Sequence, residues 1–489
     1  MLLTPRIADL RRLLALVCIV HLSAALFAGN EQPKQPTDLS PAERQFQPQD
    51  LKADLAYLFD TIEAVHPNPY ASTSGDAILK KRAKIVSTLT HPMSRLEFYR
   101  LLAPLVADLN DEHTTLFPPT EEALKGTSVI FPVRPIIWKN RIFVRANYSS
   151  NVNLQPGTEI LSINGMSSRK LLDKLSRLGY GKNREYRMYL AETVFGVMLW
   201  VGPGYTSPFH LKVRKDGKTF NESVDGVTKS VVRQKEATNN AASGSTPYSF
   251  RVLDNGKAAL LRIGGFTDIK EIAPFLAQTF LEIKNRDVRT VIIDLRENDG
   301  GFPFISDLLL SYLTRKPVAQ FSRVEVKVSV QSTECLMEAS NIIDELPSFY
   351  RDQYFEEMDA IPGHVLTLEG NIVQPSSLAL TGKLYVLTGR GTFSVASILA
   401  AAIKDNRLGI LVGEPTGGIG TAGPCRFELP RTQLTGTVAH AHLVLANGKS
   451  WDRGVNPDIV IPTKPADILA GKDPVLENTL ALIHSKRDN

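Results

Sequence analysis

The second half of the chain alternates short apolar runs with longer amphipathic ones, and this alternation leaves few folds open. "KAALLRIGGF", "VRTVIIDLREN", "KLYVLTG" and "LGILVGE" read as strands, and "IKEIAPFLAQTFLEIKN", "FISDLLLSYLTR" and "SVASILAAAIKDN" as the helices between them. A strand that is apolar almost throughout, such as Val291 to Leu295, needs cover on both faces, whereas a half-solvated strand alternates apolar and polar residues. The pattern therefore predicts an α/β domain around a buried, mostly parallel sheet. Residues 320 to 375 interrupt it with the acidic and aromatic run "ELPSFYRDQYFEEMDAIPGH", a segment that either covers a cleft or decorates the surface.

A chain of 489 residues with 43% hydrophobic content has material for two or three cores. In the N-terminal part, Leu51, Leu55, Leu58, Ile62 and Val65 recur at helical spacing. Ser94 and Glu97 form a capping-box pattern ahead of a helix that carries Leu101, Leu105 and Leu109, is expected to kink at Pro104 and ends near Asn110. The first residues combine Arg6, Arg11 and Arg12 with an apolar run from Leu13 to Phe27 and then small residues, the layout of a secretory signal peptide cleaved after Ala25 or Ala28. The net charge of +5 includes +2 from that segment (three Arg, one Asp), so the mature chain is only mildly basic and carries no nucleic-acid footprint. Cys335 and Cys425 remain after cleavage, and the sequence leaves open whether they pair.

The expected organisation is a signal peptide (1–28), a polar tether (29–48), an N-terminal helical region (49–125), a strand-rich domain (126–228), a polar linker (229–246), the α/β domain (247–475) and a short C-terminal tail (476–489). Within the strand-rich domain, "LQPGTEILSINGMSS" resembles the PDZ segment in which a Pro-Gly turn feeds a strand, an Asn-Gly turn and a helix.

Four places hold groups able to do chemistry. Ser394 stands where a strand ends and a helix begins, where unpaired amides and the helix dipole favour negative charge, although a serine there is equally the ordinary helix cap. "DLRENDGGFP" ends a buried strand in Gly300 and Gly301, whose amides face the carboxyl edge of the sheet, the edge at which ligands of such sheets bind. "DLNDEHTTLF" offers His113, a base of the type that activates a serine. "ANGKSWDRGVNPDIVIP" offers Asp452 in a turn-rich stretch. His440 and His442 lie two apart on a strand but have no third partner in the sequence, so no metal site is expected.

"VIIDLRENDGG", "GTFSVASILAAAIKDN", "LVGEPTGGIG" and "DRGVNPDIVI", in this order and spacing, resemble the tail-specific or C-terminal-processing protease family, with its relatives the tricorn core and the chlamydial protease-like factor. "HPNPY" and "LNDEHTTL" resemble the histidine-type branch. The resemblance spans most of residues 50 to 465. It implies a crotonase-like (ClpP/crotonase) α/β protease domain, an N-terminal helical region and a PDZ-like inserted domain. It also implies that Ser394 is the nucleophile, with an oxyanion hole from the amide of Val395 and one from the Gly300–Gly301 turn. The branch that uses a lysine base places it where this chain has Ile419, and Lys404 falls at the far end of the serine's helix, so the base is assigned to His113 of the Asp111, His113, Thr114 motif. The acid that orients it is Asp452, one residue later than in relatives, with Glu414 and Asp111 as alternatives; Ser397 replaces a glutamate common in the family. The expectation is an exported serine endopeptidase acting on unfolded or partly folded proteins, without cofactor or metal and without a membrane span once the signal is removed. The alternatives are a non-catalytic binding protein on the same fold and a serine esterase.

Overall fold

The computed structural model describes residues 44–120, 129–240, 247–445, 447 and 453–485. The expected signal peptide and most of the expected tether lie outside them. The end of the tether is structured: Gln45–Phe46 pairs with Met93–Ser94, which buries Phe46, and the first helix begins at Pro48.

The N-terminal helices are Pro48–Val65, Gly75–Thr88 and Arg95–Ala107. All five residues predicted for the first apolar face are buried. The third helix starts in the predicted capping box, with Ser94 Oγ accepting from the Glu97 amide and the Glu97 carboxylate accepting from the Ser94 amide, and runs through Pro104 to Ala107. Two orphan donors of the first turn are thereby satisfied. Next comes an antiparallel sheet in the order Lys218–Val224, Phe209–Lys215, Glu159–Ile163, Arg141–Asn147 and Val133–Trp138, covered by the helices Ser168–Ser176, Arg184–Thr193 and Phe195–Val201.

The predicted polar linker contains a helix, Lys229–Asn240. It has no apolar stripe. It is fixed instead by polar contacts, with Tyr148 Oη donating to Glu236 Oε1 at 2.7 Å and Lys235 Nζ to the Tyr148 carbonyl at 2.7 Å.

The alternation of the second half builds a six-stranded sheet in the order Tyr248–Leu253, Ala258–Ile263, Thr290–Asp294, Lys383–Thr388, Ile410–Gly413 and Ile459–Val460, parallel except for its first pair. Successive side chains serve opposite faces. Ala259, Leu261, Ile263, Val291 and Ile293 pack under the helices Ile269–Asn285, Pro303–Leu313 and Val395–Asp405, while Leu260, Ile292 and Val412 pack against Val475 and Ile483. Those last two belong to the helix Pro474–Ser485, so most of the expected tail is a core helix that closes the second face. Two covered faces are what the nearly continuous apolar strands require.

A second sheet, antiparallel, runs Val365–Glu369, Arg323–Lys327, Thr435–Val444 and Thr421–Glu428; the short strand Thr115–Leu116 also pairs with Thr435–Val444. The interrupting segment therefore supplies two strands of this sheet, together with the helices Val330–Glu338 and Ser348–Met358. Cys335, on the first of these helices, is disulfide-bonded to Cys425 of the Thr421–Glu428 strand. Among the described residues no helix is long and apolar enough to cross a membrane.

Candidate active site

The strand Lys383–Thr388 delivers the chain to the carboxyl edge of the parallel sheet, and Ser394 begins the helix Val395–Asp405 there. Its backbone has φ 50° and ψ −127°, a region that residues with a Cβ occupy only when their surroundings force it. The surroundings are a buried polar lattice. Thr392 Oγ1 donates to the Leu295 carbonyl (2.7 Å) and accepts from the Gly389 amide (3.0 Å), Ser397 Oγ donates to the Thr392 carbonyl (3.0 Å), and the Phe393 amide donates to the Asn298 carbonyl (3.0 Å). Ser397, where relatives often have glutamate, thus braces the turn from inside the helix. Ser394 stands at the cap position but makes no side-chain cap bond.

Its hydroxyl lies instead 3.1 Å from His113 Nε2, across 281 residues of sequence. His113 is buried, and its ring stacks on Phe393 at a centroid distance of 5.4 Å; Phe393 in turn stacks on Tyr186 at 4.1 Å. The strand that follows the histidine is tied down as well. The His113 carbonyl accepts from Thr437 Oγ1 (2.8 Å), and Thr114 Oγ1 accepts from the Ala439 amide (3.2 Å). Burial lowers the His113 pKa, and the nearby negative charge of Asp111 opposes that shift. An imidazole so placed is neutral near pH 7, as a proton acceptor must be.

Asp111 does not touch the imidazole. One of its oxygens accepts from the His113 amide at 3.0 Å, and the other lies 3.1 Å from His66 Nε2. His66 Nδ1 accepts from the Asn68 amide (3.0 Å), so its proton sits on Nε2 and is donated to Asp111. Burial alone would raise the Asp111 pKa; the hydrogen bond from His66, with a further contribution from the Thr114 hydroxyl, outweighs it and holds the group well below the usual carboxylate range. His66 was not singled out by sequence reasoning, although it opens the "HPNPY" motif. Glu112, next to Asp111 in the sequence, is pushed up to about 8, first by burial and then by Asp111.

No side chain among the described residues bonds the buried His113 Nδ1, although the Thr421 backbone lies close enough to the imidazole to help raise its pKa. Asp452 lies outside the described residues. Glu414 is brought near Arg390 and is raised chiefly by burial; no hydrogen bond links it to His113.

The Gly-Gly turn corrects one expectation. The Gly300 amide donates to Asn298 Oδ1 at 2.9 Å, so it is already used within the turn, while Asn298 Nδ2 donates to the Ile263 carbonyl at 3.1 Å. Gly300 is needed for another reason: at φ +112°, a Cβ there would sit 2.7 Å from the Ser394 Cβ. The amides of Gly301 and Val395 donate to no protein acceptor among the described residues. The other histidines and the lysine are placed elsewhere. His440 packs against the Gly423 carbonyl and Glu357, His442 against Glu325, and Lys404 bonds Asp458 at 2.7 Å; Ile419 is buried in the core.

Ser394, Val395 and Gly301 border a cavity of about 460 Å³ whose other walls are mostly aromatic and aliphatic. The arrangement has a hydroxyl within hydrogen-bond reach of a neutral imidazole, beside two open amides and an apolar recess, which is what nucleophilic acyl transfer requires.

Residues 257–461 match the family model of peptidase family S41. Among solved structures, mature CPAF complexed with lactacystin aligns with a TM-score of 0.62 at 16% identity, over 86% of this chain and 95% of that chain. Mature CPAF alone gives the same TM-score and identity over 94% of its chain. The photosystem II D1 C-terminal processing protease aligns at a TM-score of 0.42 and 16% identity, over 87% of this chain and 98% of that chain, too loosely to bear on the fold. No curated protein matches by sequence.

Proposed function

We propose that the chain, whose residues 257–461 match peptidase family S41, is an exported serine endopeptidase that cuts unfolded or partly folded proteins with Ser394 as nucleophile and His113 as base. The observation that carries this reading is the 3.1 Å contact between Ser394 Oγ and His113 Nε2 at a strained helix N-terminus. His113 takes the hydroxyl proton as Ser394 attacks the scissile carbonyl, then returns it to the leaving amine. The amides of Gly301 and Val395 hold the oxyanion, with Gly300 keeping the turn close to the serine.

We assign the third member of the triad to Asp452, on its sequence position. No side chain among the described residues bonds the buried His113 Nδ1, which faces only the Thr421 backbone, and Asp111 acts instead as a positioning residue through the His113 backbone and His66. We read residues 247–475 as the crotonase-like domain, 126–228 as PDZ-like and 49–125 as the helical region, and residues 1–28 as a cleaved signal. The Cys335–Cys425 disulfide supports export, because such bonds persist in oxidising compartments.

The test is cleavage of an unfolded protein by the mature chain beside Ser394→Ala and His113→Ala, with labelling of Ser394 by a serine-directed phosphonate. Loss of cleavage in both variants and labelling of wild type alone are expected. A folded wild type that neither cuts nor labels refutes the reading in favour of a binding protein. Hydrolysis of short acyl esters without cleavage of polypeptides would make it an esterase.

A further inference from the structure

The cavity beside Ser394 is roofed by the segment that interrupts the strand–helix alternation. Its floor is formed by Gly301, Phe302 and Ile398, the last one helical turn below the nucleophile. Its roof comes from Leu336 on the helix Val330–Glu338 and from Tyr350 and Tyr354 on the helix Ser348–Met358. That roof is clamped at three points. The disulfide joins the first helix to the antiparallel sheet. Tyr350 Oη donates to the buried Asp307 at 2.6 Å, which ties the second helix to Pro303–Leu313. Glu357, at the end of the same helix, faces His440 of the strand Thr435–Val444 at 3.4 Å.

Which side of the scissile bond the cavity serves follows from the position of the base. His113 must reach the leaving amine, so the leaving group lies on its side of Ser394. His113 and the Phe393 ring on which it stacks do not border the cavity, whereas both open amides do. A carbonyl carbon attacked by Ser394 with its oxygen on those amides therefore directs the side chain of its own residue into this space.

We propose that the cavity is the pocket for the substrate side chain on the acyl side of the scissile bond, that it selects bulky apolar side chains, and that the clamped helix pair 330–358 determines this selection. The proposal rests on the serine-peptidase reading above and adds to it a substrate preference and the residues that set it. The mostly apolar walls reward each methylene that leaves water and disfavour a charged side chain, the bordering Glu338, Glu357, Arg426 and His440 being of both signs.

The experiment uses the mature, oxidised chain and a series of fluorogenic peptides that differ only in the residue preceding the scissile bond: Phe, Leu, Ala or Asp. Roughly tenfold or greater preference in kcat/KM for Phe and Leu over Ala is expected, with Asp poorest. Leu336→Trp, which fills the cavity from its half-buried roof, is expected to lower the Phe-to-Ala ratio about tenfold. Leu336→Ala, which widens the same place, is expected to raise the rate on a Trp peptide relative to Phe. A flat profile with Ser394 still labelled by phosphonate, or variants that slow all four peptides equally, overturns the pocket assignment and leaves the peptidase reading intact. No cleavage and no labelling of a folded wild type removes both.

Discussion

Replacing Asp111 with asparagine tests how the base is held without touching it. The carboxylate accepts from His66 Nε2–H at 3.1 Å and from the His113 amide at 3.0 Å, and the Thr114 hydroxyl also helps to hold its charge. An asparagine has one oxygen for these donors and must turn its own N–H₂ toward His66 or the His113 amide. One hydrogen bond to a charged acceptor is lost, worth about 1.5–3 kcal/mol. If about 2 kcal/mol of that appears as misplacement of the imidazole, kcat falls roughly 30-fold. The lost charge has a second effect of known sign. Asp111 raises the His113 pKa against burial, so Asp111→Asn lets that pKa fall further. The base must be neutral, so activity rises with pH through this pKa, and the acid limb of kcat/KM moves to lower pH in the variant. Peptide hydrolysis measured between about pH 4 and 9 reads both effects. A variant that had merely lost stability would lose activity without moving the limb. An unchanged kcat together with a stationary or upward-moving limb would refute the placement of Asp111 behind His113.

Gly300→Ala should abolish phosphonate labelling and cleavage while the chain stays folded by circular dichroism, because the added Cβ would sit 2.7 Å from that of Ser394. Glu112, whose pKa is raised to about 8, contributes stability that is fully present below its unfolded value and is lost as pH rises through 8. The urea midpoint of wild type should therefore fall between pH 5 and 8.5 relative to that of Glu112→Gln, and parallel midpoints would contradict it. Reducing the Cys335–Cys425 bond, which spans 90 residues, should lower stability to urea by up to about 4.6 kcal/mol on the loop-entropy estimate. An unchanged midpoint after confirmed reduction would show that the fold does not depend on the clamp.

What was legible in the sequence was what local pattern controls. The nearly continuous apolar strands Ala258–Ile263 and Thr290–Asp294 announced a sheet covered on both faces, and Ser94 with Glu97 announced a helix start. The polar, small residues of 229–246 suggest a linker, yet contacts to Tyr148 fix a helix over Lys229–Asn240, and tertiary contacts of that kind leave no local trace. The C-terminal helix was missed for the opposite reason. Val475, Thr479 and Ile483 do recur every four residues, but the run is short and lies beyond the last strand. At the site, Gly300 and Gly301 were indistinguishable as oxyanion donors, since the choice depends on where the Asn298 side chain turns. His66 was invisible as a partner of Asp111 because 45 residues separate them.

The pairing of Ser394 with His113 depends on how two sheets are joined. The serine is fixed by the parallel sheet. The histidine is carried on the loop before Thr115–Leu116, whose only strand partner among the described residues is Thr435–Val444 of the antiparallel sheet, in the register Gly436 to Leu116 and Thr437 to Thr115. A slip of one residue in that two-residue pairing would displace His113 by roughly 3.4 Å and turn alternate side chains to the other face. That displacement exceeds the 3.1 Å contact itself. The Thr437 and Ala439 bonds to His113 and Thr114 extend the short pairing, and Asp111 with His66 anchors it from the other end. The strand Thr435–Val444 also holds Arg323–Lys327, which leads into the roof helices, so base and roof hang from the same strand. A shift of that strand against the parallel sheet would therefore move the base and the roof of the pocket together relative to Ser394.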